Sequence, residues 1–168
     1  MEGLTDGWIF VDDKPNRTYW HPDVTRFYDY WRKITPPGRL PGRQHFDPLD
    51  IALIMPRVWM LDVVQPGPRF RYRMAGTMEV DTLGMDPTGR WLDEVHDAYR
   101  TRPDIASRYV ASVVEGRPTY RFGKVAFVHS REHRFVQNMI LPFAQDGKMV
   151  DLLIILSIMF QSDGAEVK

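Results

Sequence analysis

The chain has 168 residues, with 22 basic and 22 acidic side chains and no cysteine. This length is typical of one folded domain, and the balanced charge gives no long-range field that favours nucleic acid or an anionic membrane as a partner. The absence of cysteine excludes disulfides, thiolate metal sites and cysteine nucleophiles.

The N-terminus has neither the basic start nor the apolar segment of a secretion signal. The longest uncharged apolar run, 152–160, is far shorter than the ~20 residues of a membrane helix. We therefore expect a cytoplasmic protein without membrane or nucleic-acid partners. Residues 1–20 lack periodicity and are expected to form an extended arm, residues 21–160 one domain, and the polar residues 161–168 a frayed tail.

An aromatic stripe predicts an amphipathic helix over residues 22–35. Pro22 suits the first helical position, and apolar side chains then recur at the spacing of one helical face: Val24, Phe27, Tyr28, Trp31 and Ile34. The stripe must be covered, either by the outer face of its own sheet, where Val58 and Met60 need shelter, or by the same helix of a second copy. We expect both, and hence a homodimer through helix 22–35.

A short helix and two strands follow. Asp47 is placed to cap the helix. The strands are predicted over 57–64 and 69–75, and the second carries arginines on one face, which suits the edge of a sheet.

Helices occupy the middle of the chain. Thr77 is placed to cap a short helix that ends at Gly84, and Pro103 begins a longer one that ends at Gly116. Its apolar face predicts that it lies across a sheet.

Three further strands are predicted. Residues 117–128 alternate but change phase, which predicts a bulge at Gly123-Lys124. Residues 135–143 form the next strand, and 149–160 are apolar at both parities, as in a central strand covered on both faces. The pattern indicates one α+β domain.

Several short motifs occur together over roughly residues 30–160. They are Leu40-Pro41-Gly42-Arg43, Asp47-Pro48-Leu49-Asp50-Ile51, Pro56, Phe70-Arg71-Tyr72-Arg73, Gly76-Thr77 and Gly84-Met85-Asp86-Pro87-Thr88-Gly89. Together these motifs resemble a bacterial PAS-like family of mostly stand-alone proteins. The resemblance implies a five-stranded antiparallel sheet in the order 2-1-5-4-3, with the helices on one face around a small-molecule cavity.

The resemblance leaves the cofactor unknown. PAS domains as a class bind haem, flavins, organic acids or nothing while mediating dimerisation. Flavin photosensors of this class need a cysteine for adduct formation, and this chain has none.

Eight side chains are candidates to line the cavity, although the same set also describes a filled core. Gln137 is the most suggestive of them, because a buried amide needs partners that a ligand or water supplies. We expect Gln137→Leu to abolish the binding of a polar ligand. The candidates are Trp59, Tyr72, Met78, Trp91, Tyr120, Phe122, Gln137 and Met139.

The histidines allow two further hypotheses. His129, Glu132 and His133 fit the H-x-x-E-H pattern of a zinc hydrolase, but in a turn between strands their spacing does not place both imidazoles on one side. His21, His45 or His96 would serve as a haem ligand. His96 is nearest to where such a ligand would lie, although a surface histidine is the favoured interpretation.

These observations predict a non-catalytic sensory module of signal transduction that binds a small ligand, forms a homodimer and acts through a separate partner. A structural dimerisation module with a filled core is the alternative. A zinc hydrolase is the remote one.

Overall fold

The computed structural model describes residues 1–127 and 134–168 of the chain. In these ranges one antiparallel sheet contains the strands Ile9–Phe10 (β1), Val58–Val64 (β2), Arg69–Ala75 (β3), Thr119–Lys124 (β4), Phe135–Phe143 (β5) and Leu152–Phe160 (β6). Their order across the sheet is β1-β4-β5-β6-β2-β3. The apolar strand β6 is therefore central, as its sequence predicts.

One helix lies between β1 and β2 in the chain, and four lie between β3 and β4. They are Pro22–Ile34 (α1), Thr77–Leu83 (α2), Leu92–Val95 (α3), Asp97–Thr101 (α4) and Pro103–Glu115 (α5), and short 3-10 helices cover Arg43–His45, Pro48–Ile51 and Met55–Arg57. The Asp47 side chain accepts from the Leu49 amide at 2.9 Å, as expected of a cap. Gly76 rather than Thr77 holds the capping position of α2.

The sheet has six strands, so the expected number of five is wrong. The predicted order 2-1-5-4-3 corresponds to β3-β2-β6-β5-β4, and the sixth strand is added beside β4. Ile9 and Phe10 of the expected extended arm pair with Tyr120 and Thr119. Two residues are too few to show the alternation by which strands are recognised.

The predicted bulge at Gly123-Lys124 is also wrong, because β4 pairs with β5 without a shift as far as Lys124. The strand simply ends there. A register shift occurs instead between Met60 and Leu61 of β2, opposite β3.

Helices cover both faces of the sheet, which corrects the expectation that they gather on one. Helix α1 packs on the face that contains Val58 and Met60, where its Phe27 and Trp31 are buried in the same apolar cluster. Helices α3 and α5 contribute Leu92 and other side chains to the cluster on the opposite face. The aromatic stripe of α1 is thus covered within one chain.

The C-terminal segment turns back along β6 where fraying was expected. The Val167 amide donates to the Met159 carbonyl at 2.9 Å, and the Gln161 amide donates to the Ala165 carbonyl at 2.8 Å. Glu166 accepts from Arg57 and contacts His21 Nε2 at 3.2 Å. The segment therefore connects the end of β6 to the start of α1.

Candidate functional site

A cavity of about 90 Å³ lies between the sheet, helices α2 and α5, and His96 at the junction of α3 and α4. Liquid water occupies about 30 Å³ per molecule, and an engineered cavity of about 150 Å³ holds benzene, so this cavity suits about three waters or a ligand of few heavy atoms. Haem and flavin are far larger than this space. Its aromatic walls are Trp8, Trp59, Tyr72, Tyr109 and Phe127.

Helix α5 supplies one wall of the cavity. Pro103 begins this helix, and Gly116, with a φ of 59°, ends it. Arg108 and Tyr109 lie on its buried side, facing the sheet. The indole Nε1 of Trp8 donates to the Asp104 carbonyl at 3.2 Å. The N-terminal arm thereby closes the cavity beside α5.

Ser157 of β6 joins the polar groups on the sheet side of the cavity. Its Oγ accepts from Trp59 Nε1 and from Asn138 Nδ2, each at 3.0 Å. A hydroxyl has two acceptor sites and one proton, so that proton is directed elsewhere. The carboxyl group of Glu79 is near this hydroxyl, and its interaction with Ser157 acts to lower the pKa of Glu79.

Glu79 reaches the cavity because α2 lies close to the chain before β2. The Gly76 amide donates to the Val58 carbonyl at 2.7 Å, and a Cβ at Gly76 would collide with the carbonyl of Pro56. Burial raises the pKa of Glu79 from 4.5 to about 8, although the hydrogen bond from Ser157 acts in the opposite direction. The carboxyl group is therefore mostly protonated at neutral pH.

Arg108 is a buried cation held by neutral oxygen atoms. Its Nε donates to Thr119 Oγ1 at 2.9 Å, and its Nη2 donates to the carbonyls of Thr119 and Asn138 at 3.1 and 2.8 Å. Burial lowers the pKa of Arg108 to about 9, which leaves it charged at pH 7.

Arg121 of β4 also lines the cavity, and its guanidinium donates to the Lys124 carbonyl. Burial lowers the pKa of Arg121 as well. Within the described ranges, 1–127 and 134–168, neither Arg121 nor Arg108 forms an ion pair with a carboxylate. Asp104 also lines the cavity, but its carboxylate pairs with Arg102 at 2.7 Å, so the two guanidinium groups give the described lining a net positive charge.

Asn138 of β5 has an unused acceptor at the cavity. The residue is 7% exposed, and its Oδ1 is buried without a hydrogen-bond partner among the described residues. Nδ2 donates to Ser157 Oγ, and Oδ1 is the amide atom without a hydrogen-bond partner among the described residues. A donor inside the cavity would satisfy it.

His96 closes the cavity near α3 and α4. The Tyr72 hydroxyl lies 2.7 Å from His96 Nε2, and His96 Nδ1 lies 3.3 Å from the Phe127 carbonyl. Because a carbonyl only accepts, Nδ1 is the donor in this second contact. Burial raises the pKa of Tyr72 well above its ordinary value, so the phenol stays protonated. His96 is 3% exposed, which corrects its interpretation as a surface residue.

Two of the eight predicted lining residues, Trp59 and Tyr72, line the cavity. Four others lie across the sheet, under α1: Tyr120, Phe122, Gln137 and Met139. The register explains the division. One row of paired residues faces α1: Tyr120 pairs with Met139, Met139 with Leu156, and Leu156 with Val58. Trp59 belongs to the next row and faces the opposite side.

Gln137 serves the chain that enters α1. Its Oε1 accepts from the His21 amide at 2.7 Å, and its Nε2 donates to the Tyr19 carbonyl at 2.9 Å. The amide therefore has protein partners and lies outside the cavity. Met78 does not line the cavity either, and Trp91 lies beneath the guanidinium of Arg69 at 4.1 Å.

The other histidines form no metal site in the described residues. The His21 side chain caps α1, and His45 Nδ1 accepts from the Gly42 amide at 2.9 Å. His129, Glu132 and His133 lie outside the described residues. Within 1–127 and 134–168, no group of three His, Cys, Asp or Glu is placed to hold a metal ion.

Sequence reasoning identified His96 but missed five other polar residues of the cavity, of which two interrupt an apolar pattern. Arg108 lies between Ile105 and Ser112 on the buried face of α5, and Ser157 interrupts the apolar run of β6. These were the available signals. The remaining missed residues are Glu79, Arg121 and Asn138.

Comparison with known proteins decides the family. The sequence model of the PAS domain matches residues 19–157, which is most of the chain. The chain belongs to the PAS domain family. At this coarse level it is a sensory signalling module.

Among solved structures, the PAS domain is similar to an RNA-binding light-oxygen-voltage receptor, with 13% sequence identity and a TM-score of 0.49. The match covers 89% of this chain and 37% of the receptor chain, so it spans little more than a third of that protein. No curated protein matches. Over the described ranges of this PAS domain, no helix has the length and apolar character needed to cross a membrane.

Proposed function

We propose that this PAS domain is a non-catalytic sensor that binds a small polar ligand in the cavity between the sheet and helices α2 and α5. The observation that carries the proposal is the buried Oδ1 of Asn138, which has no hydrogen-bond partner in ranges 1–127 and 134–168. An unsatisfied buried acceptor costs about 1–3 kcal/mol. A ligand with a donor group would remove that cost and gain affinity from it.

The cavity is connected to both ends of the domain. Ser157 and Met159 of β6 line it, and the Met159 carbonyl accepts from Val167 of the C-terminal segment. On the other side, Arg57 contacts Asp23 of α1 at 3.6 Å and also contacts Glu166. Ligand-dependent shifts of β6 would thus reach the surface formed by α1 and the C-terminal segment. This route supports action through a separate partner.

The proposal includes a homodimer through helix 22–35. Because the aromatic stripe of α1 is buried within the chain, the dimer would use its outward face, which contains Arg26, Asp29 and Lys33. We expect a dimer at micromolar concentration by light scattering, and a monomer after Arg26→Glu with Lys33→Glu. A monomeric wild-type chain contradicts the dimer and leaves the ligand proposal intact.

Ligand binding is tested by native mass spectrometry of freshly purified protein and by thermal unfolding with a panel of small metabolites. A ligand at 100 times its Kd stabilises the folded state by about 2.7 kcal/mol. We expect at least one small polar compound to raise the Tm.

Thr82→Trp supplies the decisive variant, because Thr82 lines the cavity and the indole would fill it. Asp81→Trp on the exposed side of the same helix is the control. The proposal predicts that Thr82→Trp loses the ligand-induced rise in Tm and that Asp81→Trp keeps it. Equal responses from both variants would show that the ligand binds elsewhere.

A further inference from the structure

Two guanidinium groups, those of Arg108 and Arg121, line the cavity without a carboxylate partner in the described chain. We propose that the ligand of this cavity is a small organic monoanion that also carries a hydroxyl group, of the class of two- or three-carbon hydroxy acids. This inference rests on the proposed function and specifies its ligand.

Buried charges in proteins are normally paired, because removing an ion from water without a partner is costly. The oxygen atoms that hold Arg108 belong to a hydroxyl and two carbonyls, which carry no net charge. Within the described part of the chain its hydrogen bonds use Nε and Nη2, which leaves Nη1 for a further acceptor. A ligand carboxylate would supply both the missing charge and that acceptor.

Glu79 does not supply the missing charge. Its pKa is raised to about 8, so at pH 7 it is mostly neutral. A protonated carboxyl group donates one hydrogen bond of its own. The ionised carboxylate of Asp104 also belongs to the lining, but it is exposed and pairs with Arg102. The cavity therefore combines two cations that lack an ion pair in the described chain with a neutral acid, and an anionic ligand meets donors from all three side chains.

Asn138 Oδ1 only accepts hydrogen bonds, and a carboxylate has no proton to donate to it. The ligand must therefore carry a donor as well as a carboxylate. A hydroxyl on the neighbouring carbon meets this need, and it adds only one heavy atom to a ligand that must fit into about 90 Å³.

Glycolate, acetate and glycolamide are suitable probes, because acetate lacks the hydroxyl and glycolamide lacks the charge. Isothermal titration calorimetry at pH 7 should detect glycolate binding. Sites built to hydrogen-bond a substrate group discriminate strongly against the analogue that lacks it. We expect the Kd values of acetate and glycolamide to be at least about tenfold higher than that of glycolate.

Three variants test the assigned roles. Arg121→Gln should raise the glycolate Kd at least about tenfold, while Arg100→Gln, on an exposed residue that pairs with Asp97, should leave it unchanged. Asn138→Leu should remove the preference for glycolate over acetate. The Tm of each variant without ligand separates loss of binding from loss of folding, and Arg121→Lys should recover part of the affinity because it restores the positive charge.

The outcomes distinguish this inference from the proposed function. If glycolamide binds more tightly than glycolate and Thr82→Trp abolishes its binding, the anion inference fails and the cavity remains a ligand site. If none of the three probes binds but another small molecule does so in a way that depends on Thr82, the hydroxy-acid class is wrong. If glycolate binds equally well to the Thr82→Trp variant, both proposals fail.

Discussion

Trp59 Nε1 donates to Ser157 Oγ at 3.0 Å and thereby joins the adjacent strands β2 and β6 through their side chains at the cavity. The same Oγ accepts from Asn138 of β5, so one hydroxyl organises three neighbouring strands. In the described chain, the Ser157 hydroxyl is the side-chain oxygen that accepts from both Trp59 Nε1 and Asn138 Nδ2.

Ser157→Ala should destabilise the domain. The substitution leaves the indole N–H of Trp59 and the amide of Asn138 without their acceptor, and an unsatisfied buried donor costs about 1–3 kcal/mol. We expect a loss of about 2 kcal/mol or more in urea unfolding. Ser107→Ala, on the exposed side of α5, should change the free energy of unfolding by less than about 0.5 kcal/mol. Similar effects of the two substitutions would contradict the role of Ser157.

Glu79 should make stability fall as the pH rises. Its pKa in the folded chain is raised from 4.5 to about 8 by burial, so between these values the folded chain retains a proton that the unfolded chain releases. The contribution is fully present below pH 4.5 and is lost on the way to pH 8. The steepest decrease for one group is about 1.4 kcal/mol per pH unit, and partial exposure of Glu79 reduces it.

Urea unfolding between pH 5 and pH 9 checks this dependence. Glu79→Gln keeps the shape of the protonated side chain and should flatten the profile over this range. Glu115→Gln, at an exposed position on α5, should reproduce the wild-type slope. The assignment is wrong if Glu79→Gln and the wild type lose stability in parallel.

Gln137→Leu should destabilise the domain without altering ligand binding. The substitution removes the partners of the His21 amide and the Tyr19 carbonyl, at the point where the chain enters α1. A cost of about 1–3 kcal/mol in urea unfolding is expected. The ligand-induced change in Tm should persist, because Gln137 lies across the sheet from the cavity. If a folded Gln137→Leu variant lost the ligand-induced change in Tm, Gln137 would belong to the ligand site.

Glu166→Gln should loosen the C-terminal segment. Burial acts to raise the pKa of Glu166, but hydrogen bonds from Arg57 and His21 outweigh it and the pKa is lowered. The ionised carboxylate therefore stabilises the folded chain above pH 4.5, and this contribution is lost as the pH falls through the lowered folded value. Because Glu166 is partly exposed, we expect an effect of about 1 kcal/mol or less at pH 7.

Amide hydrogen exchange provides the local measurement for Glu166. The Val167 amide, which donates to the Met159 carbonyl, should exchange faster in Glu166→Gln than in the wild type. Glu2→Gln, an exposed change near the other terminus, should leave that rate unaltered. Unchanged exchange in Glu166→Gln would show that backbone bonds alone hold the segment.

Much of the fold was accessible from local patterns. The strand 69–75 and the strand 135–143 have the bounds that alternation predicts, and Pro22 and Pro103 begin α1 and α5. These features depend on neighbouring residues, so a single sequence contains them. Strand β1 escaped prediction because two residues have no measurable period, and its pairing with β4 depends on residues more than a hundred positions away.

The sequence by itself determined the composition of the interior: which residues are apolar, where helices begin, and that β6 is central. Only the tertiary structure decided which apolar residues share a face. Adjacent strand residues point to opposite sides, so the pairing of Trp59 with Ile155 and of Tyr120 with Met139 separated side chains that look equivalent in sequence. The same register gathered Arg108, Arg121, Asn138 and Ser157 around one cavity, because contacts between distant strands and a helix are fixed only when the whole sheet is assembled.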